Sequence, residues 1–367
     1  MKILHIGTFP FPSPQGSQVY VQGILKGLVQ RGHDVSLLCY GHGIGETTAG
    51  IRILRTPNIS FYQNMRAGPD LIKPILDGLM VPLVLREKPD IIHVHNYEAP
   101  LVAKLANVFR RHKIPMVYSA HNTMEEELPT YFSGHRRKRM VAKFGRILDH
   151  YVPQLADHCV VLSQAGQESL ERLGCNNISL IAPGVDRSEY LNIVPQQLPK
   201  GQWVIYAGNP DHYQDLDILM EAMKLLPTVG LVMVSASETS QWKRNDDGRI
   251  LHIQTQNFRE VCGYLQAAQI AVLPRVKCSG FPIKILNYLA MGLPVVCSEG
   301  SSIEAPSVFS VPNYAPQKMA EQIHRLLSDE ERRVNLGILG REFVFTELSW
   351  EKQAERLESV YRGLIKT

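Results

Sequence analysis

The sequence predicts an α/β protein of two doubly wound domains, each built around a parallel sheet. Three observations carry that prediction. The chain has 367 residues and is 44% hydrophobic, enough for two cores, because single cores rarely grow past about 250–300 residues. Short apolar runs alternate with longer amphipathic stretches, the pattern that strand-helix-strand units produce. Between two sets of such units lies Val194-Pro195-Gln196-Gln197-Leu198-Pro199-Lys200-Gly201, whose prolines and polar residues suit a linker.

Taken in order, the first set has predicted strands at residues 2–6, 34–39, 51–55, 91–95, 115–119 and 158–162. A first helix follows Gly16 and carries Val19, Ile24, Leu25 and Leu28 at helical spacing. The second set has predicted strands at residues 203–207, 229–234, 250–253, 270–273, 294–297 and 307–311. These elements set a first domain of residues 1–190 and a second of residues 200–345. The amphipathic stretch 348–367 lies far from any strand of the second set and is expected to cross back onto the first domain.

Composition narrows the function. Charged residues make up 20% and the net charge is only +4, so no global basic field points to nucleic acid as a partner. The six cysteines are scattered with no C-x-x-C pair, which reads as reduced thiols rather than zinc ligands. Met1-Lys2-Ile3-Leu4-His5-Ile6-Gly7 reads as a buried first strand and not as the apolar core of a signal peptide. No run reaches the roughly 18 apolar residues that a membrane-spanning helix needs. The expectation is a cytoplasmic protein, soluble or peripheral on the inner face of the membrane.

Several strand ends carry chemistry. The first strand runs into Thr8-Phe9-Pro10-Phe11-Pro12-Ser13-Pro14-Gln15-Gly16-Ser17-Gln18, which ends in Gly-Ser where a helix begins. Its N–H groups could receive an anion or a sugar, or the segment is an ordinary turn with Ser17 as the helix cap. In Pro89-Asp90-Ile91-Ile92-His93-Val94-His95-Asn96-Tyr97-Glu98, His95 and Glu98 fall at the C-terminal end of a buried strand, where parallel sheets meet ligands. His93 and His95 share a face by alternation. They suit substrate-contacting or structural hydrogen bonds, with a metal site as the alternative. His121 and Asn122 follow another strand, where a histidine can donate to a sugar hydroxyl. Arg136, Arg137, Lys138, Arg139, Lys143 and Arg146 form a basic amphipathic helix that either meets anionic lipid or is a solvated face.

The densest signal is Leu273-Pro274-Arg275-Val276-Lys277-Cys278-Ser279-Gly280-Phe281-Pro282-Ile283-Lys284-Ile285-Leu286-Asn287, ending in Gly292-Leu293-Pro294-Val295-Val296. A strand ends, a glycine-bearing loop turns, Pro282 suits the first turn of a helix, and Gly292 with Pro294 stops it. That is a phosphate-binding arrangement with Arg275 and Lys284 as counter-charges, or a plain strand-helix turn with solvated basic residues.

This run resembles that of the family-four retaining glycosyltransferases. Asp90-Ile91-Ile92-His93-Val94-His95, His121-Asn122, Ile181-Ala182-Pro183-Gly184-Val185-Asp186 and Tyr206-Ala207-Gly208 extend the resemblance over almost the whole chain. It implies the GT-B fold: two Rossmann-like domains whose parallel sheets face each other across a cleft. It implies a nucleotide-sugar as co-substrate, no cofactor, no metal ligand, and a glycan or lipid-linked acceptor. The family's glutamate pair is replaced here by Ser279 and Asn287, and its basic pair by Asn209-Pro210-Asp211-His212-Tyr213-Gln214. On the resemblance, His121, Lys284 and Arg275 are the expected catalytic residues. Gly16, Ser17, Asn209, Ser279, Gly280, Phe281, Pro282, Ile283 and Asn287 are expected at the donor, and Gln18, His95, Glu98 and Asn122 at the acceptor. Two other classes fit the same architecture, a nucleotide-sugar 2-epimerase and a non-catalytic sugar-nucleotide or glycan-binding protein.

Overall fold

The computed structural model describes residues 1–13, 16–43, 45, 49–59, 68, 70–237, 248–278 and 280–365. The chain divides into two compact units. One comprises Met1–Pro183, Ser279–Phe281 and Trp350–Thr367, and the other Gly184–Cys278 and Pro282–Ser349.

The first unit contains β1 (Lys2–Gly7), α1 (Gly16–Gln30), β2 (Asp34–Cys39), β3 (Ile51–Arg55), α2 (Lys73–Arg86), β4 (Ile91–His95) and α3 (Ala99–Val108). It continues with β5 (Met116–Ala120), α4 (Met124–Glu127), α5 (His135–Tyr151), β6 (His158–Val161), α6 (Gln164–Arg172) and β7 (Ile178–Leu180). The strands form one sheet in the order β3-β2-β1-β4-β5-β6-β7, with every pairing parallel. A parallel sheet covered on both faces buries both parities of its strands, and β1, β2 and β4 are buried almost throughout. Leu4, Ile6, Ile92 and Val94 share one core with Leu76, Met80 and Val84 of α2 and Val102, Ala103 and Ala106 of α3. Ile3, Leu37, Ile91 and Val117 share the other with Tyr20, Ile24, Leu25 and Leu28 of α1.

The second unit contains β8 (Gln202–Ala207), α7 (Leu216–Lys224), β9 (Val229–Ser235), β10 (Ile250–Gln254), α8 (Phe258–Ala267), β11 (Ile270–Leu273) and α9 (Lys284–Ala290). β12 (Val295–Ser298), β13 (Val308–Val311), α10 (Pro316–Leu327) and α11 (Glu330–Glu347) complete it. Its sheet runs β10-β9-β8-β11-β12-β13, again all parallel.

The last helix, α12 (Trp350–Ile365), belongs to the first unit. Two glycines of α1, spaced four apart and so stacked on one face, make its seat. A Cβ on Gly23 would fall 2.1 Å from the Trp350 ring, and one on Gly27 would fall 2.8 Å from the Ala354 Cβ. Ala354, Leu357 and Tyr361 complete the core over α1. Glu358 accepts from Arg31 Nε at 2.5 Å at the rim of this contact.

The predicted strands match the observed ones to within a residue or so. β7 escaped the reading because two of its three residues are half-buried and Leu180 is exposed, and it ends the sheet, where the apolar signal is weakest. The helix expected from Pro282 begins two residues later, at Lys284, and the Pro282 carbonyl accepts the Ile285 N–H at 2.9 Å.

Candidate functional site

In the first unit, the residues that matter lie at the C-terminal ends of adjacent strands. Register pairs His5 of β1 with His93 of β4, and His95 with Ser119 of β5. Alternation then turns His5, His93, His95 and Ser119 to the α1 and α12 side of the sheet. Each is fully buried. His95 Nε2 lies 3.0 Å from His5 Nδ1, and His95 Nδ1 lies 3.2 Å from His121 Nε2. His93 Nε2 is 2.7 Å from Ser119 Oγ, and its Nδ1 bonds the Tyr361 hydroxyl of α12. Tyr20 of α1 meets the His121 ring edge-on, with centroids 5.3 Å apart.

Burial pushes His5 down to about 3 and His121 to about 4. Burial, reinforced by the neighbouring histidines, holds His93 and His95 well below the usual histidine range. The four rings are therefore neutral at physiological pH. His5, His93 and His95 come close enough to suggest a metal site, their nearest ring nitrogens lying within 4.8 Å of one another. The ring geometry opposes it. His5 and His95 are within 13° of parallel with centroids 5.3 Å apart, which is the N···N distance plus two ring radii. Their facing nitrogens thus point at each other along one line, as in a shared N–H···N bond, and not at a common ion.

His95 was expected beside the acceptor. Both its ring nitrogens are hydrogen-bonded to other histidines. Glu98 is half-buried, and its Oε2 accepts from Thr8 Oγ1 at 3.1 Å. Asn122 Nδ2 donates to Glu127 Oε2 at 3.2 Å. Gly280 and Phe281 group with this unit: a Cβ on Gly280 would fall 2.4 Å from Asn122 Oδ1, and Phe281 packs on the α1-side core. Gly16 is exposed and opens α1. Ser17 is not the cap, because it sits inside α1 with its hydroxyl donating to buried Gln18 Oε1 at 2.8 Å. Ser279 lies outside the described residues.

Sequence reasoning passed over the anchor of the His121 loop. Asp149, buried on α5, accepts the Met124 and Glu125 N–H groups at 2.8 and 2.9 Å and the Tyr97 hydroxyl at 2.6 Å. It thereby caps α4 from across the structure, a long-range partnership that leaves no local trace in sequence.

The second unit gathers its polar residues around Lys284 at the start of α9. Lys284 is half-buried, and its Nζ donates to the Tyr206 hydroxyl at 2.7 Å, which in turn donates to the Asn209 carbonyl at 3.0 Å. Gly208 makes this possible. Its φ of 150° favours glycine, and a Cβ there would fall 2.2 Å from Nζ. Among the described residues no carboxylate lies within ion-pair distance of Nζ. Desolvation, then the charge of Arg275, lower Lys284 to about 7. Arg275 itself lies over the Tyr213 ring, 4.9 Å from its centroid, and its Nε donates to the Lys277 carbonyl at 2.5 Å. Asn209 Oδ1 is within 3.3 Å of Ser235 Oγ. Asn287 Oδ1 accepts from the Tyr190 hydroxyl at 2.7 Å, which leaves its amide N–H groups as the part able to meet a ligand. Pro282 is buried and Ile283 half-buried beside them.

On α5, Met140, Phe144, Ile147 and Tyr151 are 52–66% exposed and recur at helical spacing on one face. His135, Arg136, Arg139, Met140 and Lys143 line a hollow of about 220 Å³ on the same helix. Among the described residues, no helix is long and apolar enough to cross a membrane.

Comparisons with known proteins agree with this two-part construction. Phosphatidyl-myo-inositol mannosyltransferase of Mycobacterium tuberculosis is 24% identical over 82% of this chain and 78% of its own. The sucrose-phosphate synthase of Thermosynechococcus elongatus superposes with a TM-score of 0.81 at 18% identity, covering both chains completely. HepE of Anabaena, solved with UDP and glucose, gives a TM-score of 0.71 at 16% identity over 99% of this chain and all of its own. These likenesses establish the GT-B fold. Residues 14–189 match the model of Glycosyltransferase Family 4 and residues 201–329 that of Glycosyl transferases group 1. With one such domain following the other over most of its length, the chain belongs to the glycosyltransferases of this two-domain type.

Proposed function

We propose that the protein transfers a sugar from a nucleotide-sugar to a glycan or lipid-linked acceptor with retention of anomeric configuration, in the synthesis of a cell-surface polysaccharide or glycolipid. The observation that carries this reading is Lys284, a desolvated amine whose hydrogen-bond partner is the Tyr206 hydroxyl and which, among the described residues, has no carboxylate within ion-pair distance. A buried charge without a counter-ion is costly. A nucleotide diphosphate beside it would supply that counter-ion and restore the lysine to its charged form. As the glycosidic bond to the diphosphate breaks, negative charge grows on the leaving oxygen. Lys284 and Arg275, fixed beforehand, stabilise it more in the transition state than in the ground state. His121 donates to the transferred sugar, and the scheme needs neither a metal nor a protein nucleophile. The names of the similar proteins support the substrate class: one is a phosphatidyl-myo-inositol mannosyltransferase, and another was solved in complex with UDP and glucose.

A panel of UDP-, GDP- and ADP-sugars, screened by thermal shift and nucleotide release, tests this, since a ligand that binds the folded state raises its melting temperature. A shift accompanied by slow release of nucleotide is expected. A shift without turnover against any acceptor would favour a non-catalytic binding protein. Retention is read from the anomeric proton coupling of the product.

The exposed apolar stripe of α5, flanked by Arg136, Arg137, Arg139, Lys143 and Arg146, supports a second element of the proposal. Such a helix lies in a lipid interface, its apolar face among acyl chains and its basic flanks on anionic headgroups. The expectation is sedimentation with phosphatidylglycerol vesicles, lost when the five basic residues become glutamine. Persistent binding by that variant would remove the membrane from the account.

A further inference from the structure

The buried histidines form a chain with two unpartnered ends. From one end to the other it runs His5 Nε2, His5 Nδ1···Nε2 His95, His95 Nδ1···Nε2 His121, and His121 Nδ1. His5 Nε2 and His121 Nδ1 have no hydrogen-bond partner among the described residues. The second link resembles the first, with ring centroids 5.4 Å apart and nitrogens 3.2 Å apart, so both links run nearly along the line between rings.

A neutral imidazole has one N–H and one bare nitrogen. In a row of such rings, each donating to the next, the direction of one link fixes the direction of all. Only two arrangements exist. In one, every ring carries its proton on Nε2, which leaves an N–H of His5 in the interior facing no acceptor. In the other, every ring carries its proton on Nδ1. The orphan at His5 is then a bare nitrogen, and the free N–H is that of His121 Nδ1, also buried but at the strand end where the proposed sugar would meet it. Orphaned buried donors are the rarer fault in proteins. His5 also pairs in register with fully buried Leu37 of β2 on its far side, a neighbour that offers no side-chain acceptor. A sugar hydroxyl can accept as well as donate, so the proposed ligand can satisfy an N–H on His121, whereas nothing beside His5 can satisfy one there.

We propose that His5 and His95 are positioning residues that lock His121 in the Nδ1-protonated tautomer, so that it offers its ligand a permanent N–H donor. This rests on the reading that His121 meets the transferred sugar. The tautomer itself is a property of the ligand-free protein. His5, in the first strand, thereby decides the hydrogen-bonding sense of a residue two strands away.

The test is nitrogen NMR on protein labelled with ¹⁵N only in histidine. The expected spectrum has His5, His95 and His121 all protonated on Nδ1, with couplings across both N–H···N links. Protonation of His121 on Nε2, or opposite tautomers within the chain, would overturn the proposal. Two isosteric replacements then probe the relay. His5→Asn can donate its amide N–H to His95 and should leave His121 unchanged. His5→Asp, ionised at pH 8, can only accept and should move the proton of His121 to Nε2, with its Nδ1 resonance shifting to the bare-nitrogen position. An unmoved His121 in a folded His5→Asp protein would refute the relay, and if that variant does not fold, the wild-type spectrum decides alone. Because no substrate is involved, failure to transfer any sugar would remove the proposed function without touching this result.

Discussion

The two units solve opposite electrostatic problems. In the first, four histidines are buried together and kept neutral, their nitrogens other than His5 Nε2 and His121 Nδ1 consumed by one another, by Ser119 and by Tyr361. In the second, a single lysine holds its place on a tyrosine hydroxyl, depressed by desolvation and then by a second cation, Arg275. The first arrangement is nearly complete without a ligand, and the second is not. Neutral, oriented donors suit sugar hydroxyls, and a desolvated lysine with no carboxylate in ion-pair contact suits a diphosphate.

The comparison can be broken most severely by acid. The folded-state pKa values of His5, His93, His95 and His121 lie below the ordinary histidine value of 6.5, toward about 3 to 4 for His5 and His121. Between those limits the unfolded chain binds protons that the folded chain refuses, so stability is full above pH 6.5 and falls as pH drops toward 4. Each such histidine contributes a slope of up to about 1.4 kcal/mol per pH unit. Urea unfolding at pH 7 and pH 5 should show the loss, and a flat profile would mean that the rings are hydrated or charged in the native state.

Next in size is the seat of α12, which also supplies Tyr361 to His93. Gly23→Val places a branched side chain where the Trp350 ring lies, and overpacking of that kind costs about 1–3 kcal/mol or more. The expected outcome is a lower melting temperature, with the tautomer of His121 preserved in whatever remains folded.

Lys284→Gln should leave stability nearly unchanged or slightly improved, because it removes a desolvated charge. It should weaken nucleotide binding by about tenfold to a hundredfold, the worth of a charge-assisted hydrogen bond at about 1.5–3 kcal/mol. Isothermal titration separates the two effects. The smallest effect belongs to α5. Replacing Arg136, Arg139 and Lys143 with glutamine alters an exposed surface and should change unfolding free energy by no more than about 0.5 kcal/mol per residue, whatever it does to vesicle binding.

Much of this was legible in the sequence. Buried parallel strands announce themselves as short apolar runs, and all but the three-residue edge strand β7 were found. The stretch from Arg275 to Asn287 pointed to Lys284 because strand, glycine loop and helix follow one another locally. What stayed hidden was non-local. His5 looked like one polar residue in a first strand, and only the order β1-β4-β5 shows that it, His95 and His121 form a row. Asp149 and Tyr206 act on residues 24 to 78 positions away, and no periodicity records that. The doubly wound strand order, once inferred, does carry a usable signal: same-parity histidines on strands expected to be neighbours will face one another.

The pairing of Lys284 with a diphosphate is tested most directly by calorimetric titration of UDP at pH 8, in two buffers of different ionisation heat. With a pKa near 7 in the free protein, Lys284 is mostly neutral at that pH and must take up a proton when a diphosphate settles beside it. Uptake approaching one proton, abolished in Lys284→Gln, is the expected result; binding of UDP with no proton uptake would contradict it.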